Sequence, residues 1–399
     1  MRNNHTHKTT VAQPAMVASA SAPTTSLLTS GFVATDATMA GCATPAAAFL
    51  FLAGRAFHSL WLALLLTTFT LSASAAHPEC LVTPAWVKSV QDFQIASSQK
   101  KAILLRPVTY KNERLVILEA SWSTLAEAKD YLARHVPDAV HFNTDEFENG
   151  SPRWHLKPLS ELQQVIGKYG ITYNTTVIVY SKQTIAAARV WWVLNYAGVS
   201  DVRVLNGGYA AWQAAGLAED TTVHEPRPVT FTATPREDWL ATTQYVRERF
   251  DKGSVWLADT RSLAEYRGEV SGYDYLLRRG RIPGALPLGD ADDKAQIYQD
   301  ADGRFRPRNE IAAQWAEAGL KPATPGEQFE REVIFYCGSG WRSSLTFFYA
   351  YMLGYKNIRN YSDGWSAWST TYVQDAAEKG ITPGWRQDAS GNPIAMGQN

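Results

Sequence analysis

The chain has 399 residues, of which 45% are hydrophobic and 12% aromatic, enough for two ordinary domains with full cores. Its 38 lysines and arginines balance 38 aspartates and glutamates, so net charge gives no reason to expect a nucleic acid or an anionic membrane as partner. The sequence contains no HExxH, Walker or strand-following GxGxxG motif and no Cys/His cluster with metal-site spacing. We therefore expect neither a metal nor a nucleotide cofactor.

The first feature in chain order is a short apolar run that follows an arginine. Arg55 precedes the apolar run LWLALLLTTFTL at residues 60–71, and the run is followed by SASAA, which ends at Ala76. A cation, a short apolar core and a small-residue cleavage site in this order are typical of a secretory signal peptide. The run is short for a membrane span. We expect export with cleavage near Ala75 or Ala76; a true start nearer Met39 and an uncleaved anchor are the alternatives.

The rest of the chain contains one pattern twice. Residues 174–212 match residues 331–368 without a gap, and the offset is 156 residues, as from Ser181 to Cys337. The other aligned pairs are Gly198 with Gly354, Gly208 with Gly364, and Trp212 with Trp368. An internal repeat of this kind predicts two copies of one structural unit.

The repeat defines the expected domain organisation. It predicts an N-terminal extension with signal peptide at 1–76, a catalytically inactive first domain at 77–218, a polar linker at 219–231, a catalytic second domain at 232–375 and a tail at 376–399. The linker region is polar and contains several prolines, as connections between domains often do. We expect Trp212 and Trp368, which follow glycine turns, to be core residues.

Strands alternate with helices in both repeats. Short apolar runs at residues 115–121 and 254–260 end near an acid, and VIVY and VIFY are the next predicted strands, each followed by a helix with a wide apolar face. This alternation predicts an α/β fold with two domains, each a parallel sheet covered by helices on both faces. In such folds active loops follow the C-terminal ends of strands. Cys337 stands directly after VIFY.

The loop CGSGWR, residues 337–342, suits a nucleophile. Gly338 and Gly340 allow the backbone to curl so that successive N–H groups point inward at the start of a helix. Such a nest and the helix dipole favour a thiolate over a thiol, and Arg342 adds a cation. A buried, unreactive cysteine is the alternative interpretation of Cys337. We interpret Cys80 as an incidental surface or packing residue.

Several segments resemble motifs of the rhodanese family: LADTRSLAEYRGE followed by RGRIPGA, then CGSGWR, then SDGWSAW. Over most of residues 81–375 the chain is similar to tandem-domain, exported bacterial thiosulfate sulfurtransferases. The resemblance implies that Cys337 takes the outer sulfur of thiosulfate as a persulfide, releases sulfite, and passes the sulfur to cyanide or a thiol. It also implies a periplasmic location. The expected partners are a small anionic sulfur donor, such an acceptor and, in addition, a sulfur-accepting protein; neither a metal nor a nucleic acid is expected.

The resemblance also implies binding residues within the loop. Backbone N–H groups of residues 338–342 would hold the persulfide, and Arg342 would hold the donor because a guanidinium binds two oxyanion oxygens at once. Ser339 either donates to the donor or satisfies the turn. Trp341 is either a lid on the pocket or a rim aromatic between the domains. Gly338 and Gly340 complete the predicted set.

Two arginines outside the loop are further candidates for substrate binding. Arg261 is one, with a structural pairing to the adjacent Asp259 as the alternative. Arg267 is the other, with a solvent-facing side chain as the alternative. Tandem rhodaneses have a second anion-binding arginine four residues after the first, but here that position is Glu265. Arg281 replaces the histidine of the Gly-His-Ile-Pro-Gly-Ala motif, so no role is carried over to it.

Three alternatives to this function follow from the sequence. Protein tyrosine phosphatases have one more residue between Cys and Arg, so the shorter loop here argues against phosphate chemistry. CGSG also resembles the loop of 3-mercaptopyruvate sulfurtransferases, although Arg342 favours thiosulfate. A carrier that receives its persulfide from a partner would have the same loop. Ser181 replaces the cysteine in the first repeat without glycines around it, so we expect that repeat to be structural or to form part of the cleft.

Overall fold

The computed structural model describes residues 76–99, 104–150, 154–273, 276, 278–289, 296–321, 328–369, 385–387 and 393–395. The predicted signal segment and most of the predicted C-terminal tail lie outside these ranges. Within the described part of the chain, no helix is long and apolar enough to cross a membrane.

The first repeat forms a five-stranded parallel sheet. Its strands are β1 (Leu81–Val82), β2 (Arg114–Ser121), β3 (Ala139–Asn143), β4 (Thr175–Tyr180) and β5 (Asp201–Leu205), and its helices are α1 (Pro84–Gln99), α2 (Lys129–Ala133), α3 (Leu159–Lys168), α4 (Thr184–Tyr196) and α5 (Gly208–Ala214). The strand order is β1-β5-β4-β2-β3, with parallel pairing throughout. Every residue of β4 is buried, as expected for a strand covered on both faces.

The second repeat forms a four-stranded parallel sheet. Its elements are α6 (Thr243–Arg247), β6 (Val255–Asp259), α7 (Leu263–Arg267), β7 (Leu286–Pro287), α8 (Arg308–Glu317), β8 (Glu332–Tyr336), α9 (Trp341–Met352), β9 (Ile358–Tyr361) and α10 (Gly364–Trp368). The order β7-β6-β8-β9 is that of β3-β2-β4-β5 in the first repeat. Two further strands, β10 (Trp385–Gln387) and β11 (Pro393–Ala395), pair antiparallel. The predicted α/β fold of two parallel sheets flanked by helices is confirmed.

The aligned glycines and tryptophans occupy equivalent places in the two repeats. Gly208 and Gly364 have φ angles of 54° and 50°. A Cβ atom at Gly208 would lie 2.5 Å from the carbonyl oxygen of Ser181, and one at Gly364 would collide with the carbonyl of Cys337. Glycine is needed at both positions because the closing turn packs directly on the loop. Trp212 and Trp368 are both 0% exposed, which confirms their prediction as core residues.

The two repeats meet through α4 and α9, which pack against each other. Every residue of α4 is buried. Trp191 of α4 lies 4.7 Å from Phe348 and 5.1 Å from Tyr351, both on α9, measured between ring centroids. Because α9 begins at Trp341, at the end of the loop that starts with Cys337, this packing places the first repeat beside the Cys337 loop.

Candidate active site

Cys337 lies between the end of β8 and the start of α9. Gly340, at the N-cap of α9, has a left-handed φ of 89°, and no side chain caps this helix end. The first N–H groups of a helix have no acceptor within it, so they are directed at the loop together with the positive end of the dipole. The Cys337 side chain is 0% exposed, and its Sγ lies 3.7 Å from the hydroxyl of Ser343.

Tyr273 covers the loop, a position that the sequence analysis missed. Its hydroxyl accepts a hydrogen bond from the backbone N–H of Gly338 at 3.2 Å and another from Nη2 of Arg342. A Cβ atom at Gly338 would collide with the Tyr273 ring, so glycine at 338 makes room for the tyrosine. The N–H of Gly338 is thus engaged by Tyr273 in this structure.

Arg342 forms a buried, bidentate ion pair with Glu265 of α7. Its Nη1 and Nη2 donate to Oε2 and Oε1, both at 2.8 Å, and the side chains are 8% and 4% exposed. Burial alone would raise the pKa of Glu265, but the charge and hydrogen bonds of Arg342 lower that pKa to about 2. Donor binding by Arg342 stays a prediction, and in this structure its charge is balanced by a carboxylate.

Trp341 contacts the first repeat. Its indole N–H donates to Oε1 of Glu148 at 2.7 Å, and its ring meets that of Trp122 edge-on, with centroids 5.2 Å apart. Of the two interpretations of Trp341 from sequence, the structure shows the contact expected of a rim aromatic between the domains.

An arginine of the first repeat also reaches the loop. Nη1 of Arg189, on α4, lies 3.0 Å from the hydroxyl of Ser362 and 3.5 Å from the carbonyl oxygen of Gly340. Its Nη2 donates to Oε1 of Glu148 at 3.1 Å. The first repeat thus supplies charged groups to the surroundings of the loop.

The other predicted site residues are placed less favourably. Arg261 is 0% exposed and pairs with Asp259 through Nε at 2.9 Å and Nη2 at 2.6 Å, which is the structural contact that the sequence offered as its alternative. Arg267 is 38% exposed and 4.0 Å from Glu269. Ser339 is buried at 5% exposure within the loop. Direct substrate binding by Arg261 and Arg267 stays a prediction, and neither position favours it.

Within the described residues, one group offers ligand atoms for a metal: His135, Asp220 and His224, whose donor atoms lie within 4.8 Å of one another. Both ring nitrogens of His135 contact backbone carbonyls, of Tyr131 at 2.7 Å and of Thr222 at 3.0 Å. The second of these contacts joins the linker to the first repeat.

A signal for Arg189 was present in the sequence. It is the one charged residue in AAARVWWVLNYAG, and a charged side chain on a wholly apolar helix is expected to be buried with a partner. Tyr273 and Glu148 carried no comparable signal, because their partners lie far away along the chain.

Comparison with known proteins agrees with this architecture. The model of the rhodanese-like domain matches residues 110–215 and 242–371. The chain is 33% identical over 305 residues to the thiosulfate sulfurtransferase YnjE of Escherichia coli K12, a match that covers 74% of this chain but only 64% of that protein. It is 31% identical over 252 residues to a probable 3-mercaptopyruvate sulfurtransferase of Pseudomonas aeruginosa, covering 61% and 84%, and 28% identical over 307 residues to the sulfur carrier protein TtuD of Thermus thermophilus, covering 73% and 94%.

Solved structures give the same result. The crystal structure of YnjE superposes with a TM-score of 0.63 at 31% identity, covering 80% of this chain and 69% of that one. The anaerobic ergothioneine biosynthesis enzyme of Chlorobium limicola, in complex with trimethyl histidine, superposes with a TM-score of 0.65 at 29% identity, covering 80% and 71%. On the two matched segments and the repeated sheet, this chain belongs to the rhodanese family as a tandem-domain member.

Proposed function

We propose that this protein is a sulfurtransferase that carries sulfane sulfur on Cys337, with thiosulfate as donor. The observation that carries the proposal is the place of the thiol, at the end of β8 and at the uncapped, positive end of the twelve-residue helix α9. Its family and the relative named thiosulfate sulfurtransferase support it.

In the donor step the Cys337 thiolate attacks the outer sulfur of thiosulfate. A bond forms between the two sulfur atoms, the S–S bond of thiosulfate breaks, and sulfite leaves with its electron pair. The persulfide that stays on Cys337 is an anion. Because Tyr273 engages the N–H of Gly338, N–H groups from Ser339 onward are the ones that we assign to this charge.

In the acceptor step cyanide or a thiolate attacks the outer sulfur of the persulfide. The acceptor leaves as thiocyanate or as a new persulfide, and the Cys337 thiolate is restored. We include a sulfur-accepting protein among the acceptors, for which the relative named sulfur carrier protein is the support. A periplasmic location, after removal of the signal segment, is part of the proposal and rests on the sequence.

A second candidate donor is 3-mercaptopyruvate, and the Arg342–Glu265 pair favours it. Glu265 cancels the charge of Arg342, which reduces the attraction for the dianion thiosulfate more than for a monocarboxylate. The relative named probable 3-mercaptopyruvate sulfurtransferase is consistent with this candidate.

The test is the intact mass of the purified protein before and after thiosulfate, then after cyanide. The proposal expects a gain of one sulfur atom that cyanide removes and that Cys337→Ser does not show. A gain with mercaptopyruvate alone would select the second candidate. No gain with either donor would reject both and favour a carrier that a partner protein loads.

A further inference from the structure

A buried ion pair lies at the boundary between the two repeats. Arg189 on α4 and Glu148, directly after the turn Thr144–Phe147, are 1% and 3% exposed, and Nη2 lies 3.1 Å from Oε1. Removing two charges from water is costly unless further hydrogen bonds satisfy them. The hydrogen bonds that the pair makes to other residues therefore indicate which segments it keeps in place.

Those partners belong to the second repeat. Oε1 of Glu148 also accepts from the indole N–H of Trp341 at 2.7 Å. Nη1 of Arg189 contacts the hydroxyl of Ser362 at 3.0 Å and the carbonyl oxygen of Gly340 at 3.5 Å. Gly340 and Trp341 are both members of the Cys337 loop, so the pair connects the first repeat to that loop.

The fit around Gly340 is close. A Cβ atom there would lie 2.6 Å from Nη1 of Arg189 and 2.6 Å from the carbonyl oxygen of Ser362. A second contact between the repeats lies nearby. Nε2 of His155 lies 3.3 Å from the hydroxyl of Ser366. The backbone N–H of Ser366 donates to the carbonyl of Gly338 at 2.9 Å. The first repeat thus contacts both the loop and the residues that support it.

We propose that Glu148 and Arg189 are positioning residues for sulfur transfer: they fix Gly340 and Trp341, and through them the sulfur of Cys337. This inference deepens the proposed function and rests on it. In-line attack on a sulfur–sulfur bond depends on alignment, and a displacement of about 1 Å costs on the order of a hundredfold in rate. The pair gives the inactive repeat a task in the reaction, without contact to the donor.

The pair is expected to depend on pH, and the pH profile of sulfur transfer then gives the positioning role a readout of its own. Glu148 faces Arg189 on α4, the Trp341 indole on α9 and Asp145 on its own turn, while His155 lies across the short bridge between Glu148 and Leu156. Burial raises the pKa of Glu148 to about 7, although Arg189 and the indole N–H oppose it and Asp145 adds to it. Below about pH 7 the carboxyl is protonated and the ion pair is lost. Positioning is therefore expected to weaken as the pH falls through that value.

The test compares Glu148→Gln with Glu146→Gln in the full chain between pH 5.5 and 9. Glu146 lies on the same turn and pairs with Lys168 at 2.8 Å instead, so its variant makes the same charge change away from the loop. The first readout is kcat/KM for persulfide formation from thiosulfate. The second is the rate at which iodoacetamide alkylates Cys337, followed by peptide mass so that Cys80 is counted separately.

For Glu148→Gln we expect kcat/KM to fall about tenfold at pH 8.5 and alkylation of the buried Cys337 to become severalfold faster. Both differences from wild type should shrink below pH 6, where Glu148 of the wild type is also protonated. Glu146→Gln should match wild type at every pH. A wild-type-like Glu148→Gln, or a ratio that does not change with pH, overturns the inference.

Two further comparisons separate the positioning role from the proposed function and test the link through Trp341. Trp341→Phe removes the indole N–H together with part of the ring that meets Trp122, so it should lower the same rate. Adding Glu148→Gln to it should cost less than in wild type, and full additivity would contradict the link through Trp341. If thiosulfate fails to load wild-type Cys337, the proposed function fails on its own. The alkylation rates, which need no sulfur donor, then decide the positioning role.

Discussion

The Ser181 loop and the Cys337 loop occupy the same place in the two repeats, each at the end of a central strand and before a buried helix. The first loop is SKQT, and α4 begins at Thr184. The hydroxyl of Ser181 accepts from the N–H of Gln183 at 3.1 Å, and Lys182 points to solvent at 82% exposure. This loop has no glycine, and its N-cap residue Gln183 has an extended backbone with φ of −116°, where Gly340 has a left-handed one.

The second loop differs by its glycines and by what covers it. Gly340 takes a left-handed φ, and Tyr273 and Arg342 close over Gly338. One scaffold thus supports an ordinary turn in one copy and a thiol at a helix N-terminus in the other. Four strands have equivalent places in the two sheets, so the local difference between the copies lies in a few loop residues.

The first repeat also has a charged residue that the second repeat lacks. At the position of Arg189 in the first repeat, the second repeat has Leu345. The first copy carries a buried charge directed at its neighbour, and the second carries Cys337, the proposed nucleophile. The two repeats are therefore complementary, and the proposed positioning role would give a reason to retain a copy with serine at the loop position.

The largest expected effect comes from exchanging cysteine and serine between positions 337 and 181. Cys337→Ser makes the second loop resemble the first and should lower thiosulfate–cyanide turnover by at least about 10³-fold, because the covalent step is lost. Ser181→Cys in that background should restore nothing, since a cysteine there has no nest. Turnover is measured as thiocyanate formed, with Cys80→Ser as the control that keeps activity. Retained turnover in Cys337→Ser would place the sulfur on another residue.

The second test removes Glu265, the buried carboxylate that pairs with Arg342 of the Cys337 loop. Glu265→Gln leaves Arg342 buried without a counterion and should lower the free energy of unfolding by about 3 kcal/mol at pH 7. The pKa of Glu265 is lowered to about 2 from its ordinary 4.5, so the stabilisation is present above pH 4.5 and is lost as the pH falls towards 2. Urea unfolding at pH 7 and pH 3 should show the gap between variant and wild type shrinking.

The control for this second test is Glu269→Gln, since Glu269 is 59% exposed and 4.0 Å from Arg267. Its effect should stay within about 0.5 kcal/mol. A gap of equal size at both pH values would show that the charge of Glu265 contributes nothing.

The sequence predicted the scaffold better than the site. The repeat register placed β4 and β8 in equivalent positions and identified Trp212 and Trp368 as core residues, because apolar periodicity and glycine turns are local signals. Partners across the fold are not local. Glu265 was noted only as a departure from the family pattern, yet it pairs with Arg342, 77 positions further along. No pattern within a strand or helix encodes such a pair.

The third test concerns Gly340, the loop glycine whose carbonyl contacts Arg189 of the first repeat. Gly340→Ala and Gly253→Ala both place a side chain at positive φ, 89° and 64°, which costs roughly 1 kcal/mol each. Only at 340 would the new Cβ also meet Arg189 and Ser362; around Gly253 nothing lies within 4 Å. We expect Gly340→Ala to lose about tenfold or more in turnover and Gly253→Ala to keep it, both measured as thiocyanate formation. Equal turnover in the two variants would mean that the contact with Arg189 does not matter for the loop.

The smallest expected effect concerns two acidic residues, one near the end of β2 and one at the end of β6, which have different partners. Glu119 and Asp259 both lie opposite a tyrosine of the neighbouring strand, Tyr180 and Tyr336. Asp259 is paired with an arginine that never loses its charge, whereas Glu119 contacts Nδ1 of His141 at 2.7 Å.

Burial opposes the charged form of His141, but Glu119 and the carbonyl of Ser123 raise its pKa overall above 6.5. A raised pKa means stability that is complete below pH 6.5 and is lost as the pH rises through the folded value. His141→Gln should therefore cost about 1 kcal/mol at pH 6, the usual net contribution of a hydrogen bond, and less at pH 9, in urea unfolding. The partly exposed His77 provides the control, His77→Gln. If the cost of His141→Gln is the same at both pH values, the contact with Glu119 does not depend on the charge of His141, and the two strand-end acids differ in geometry alone.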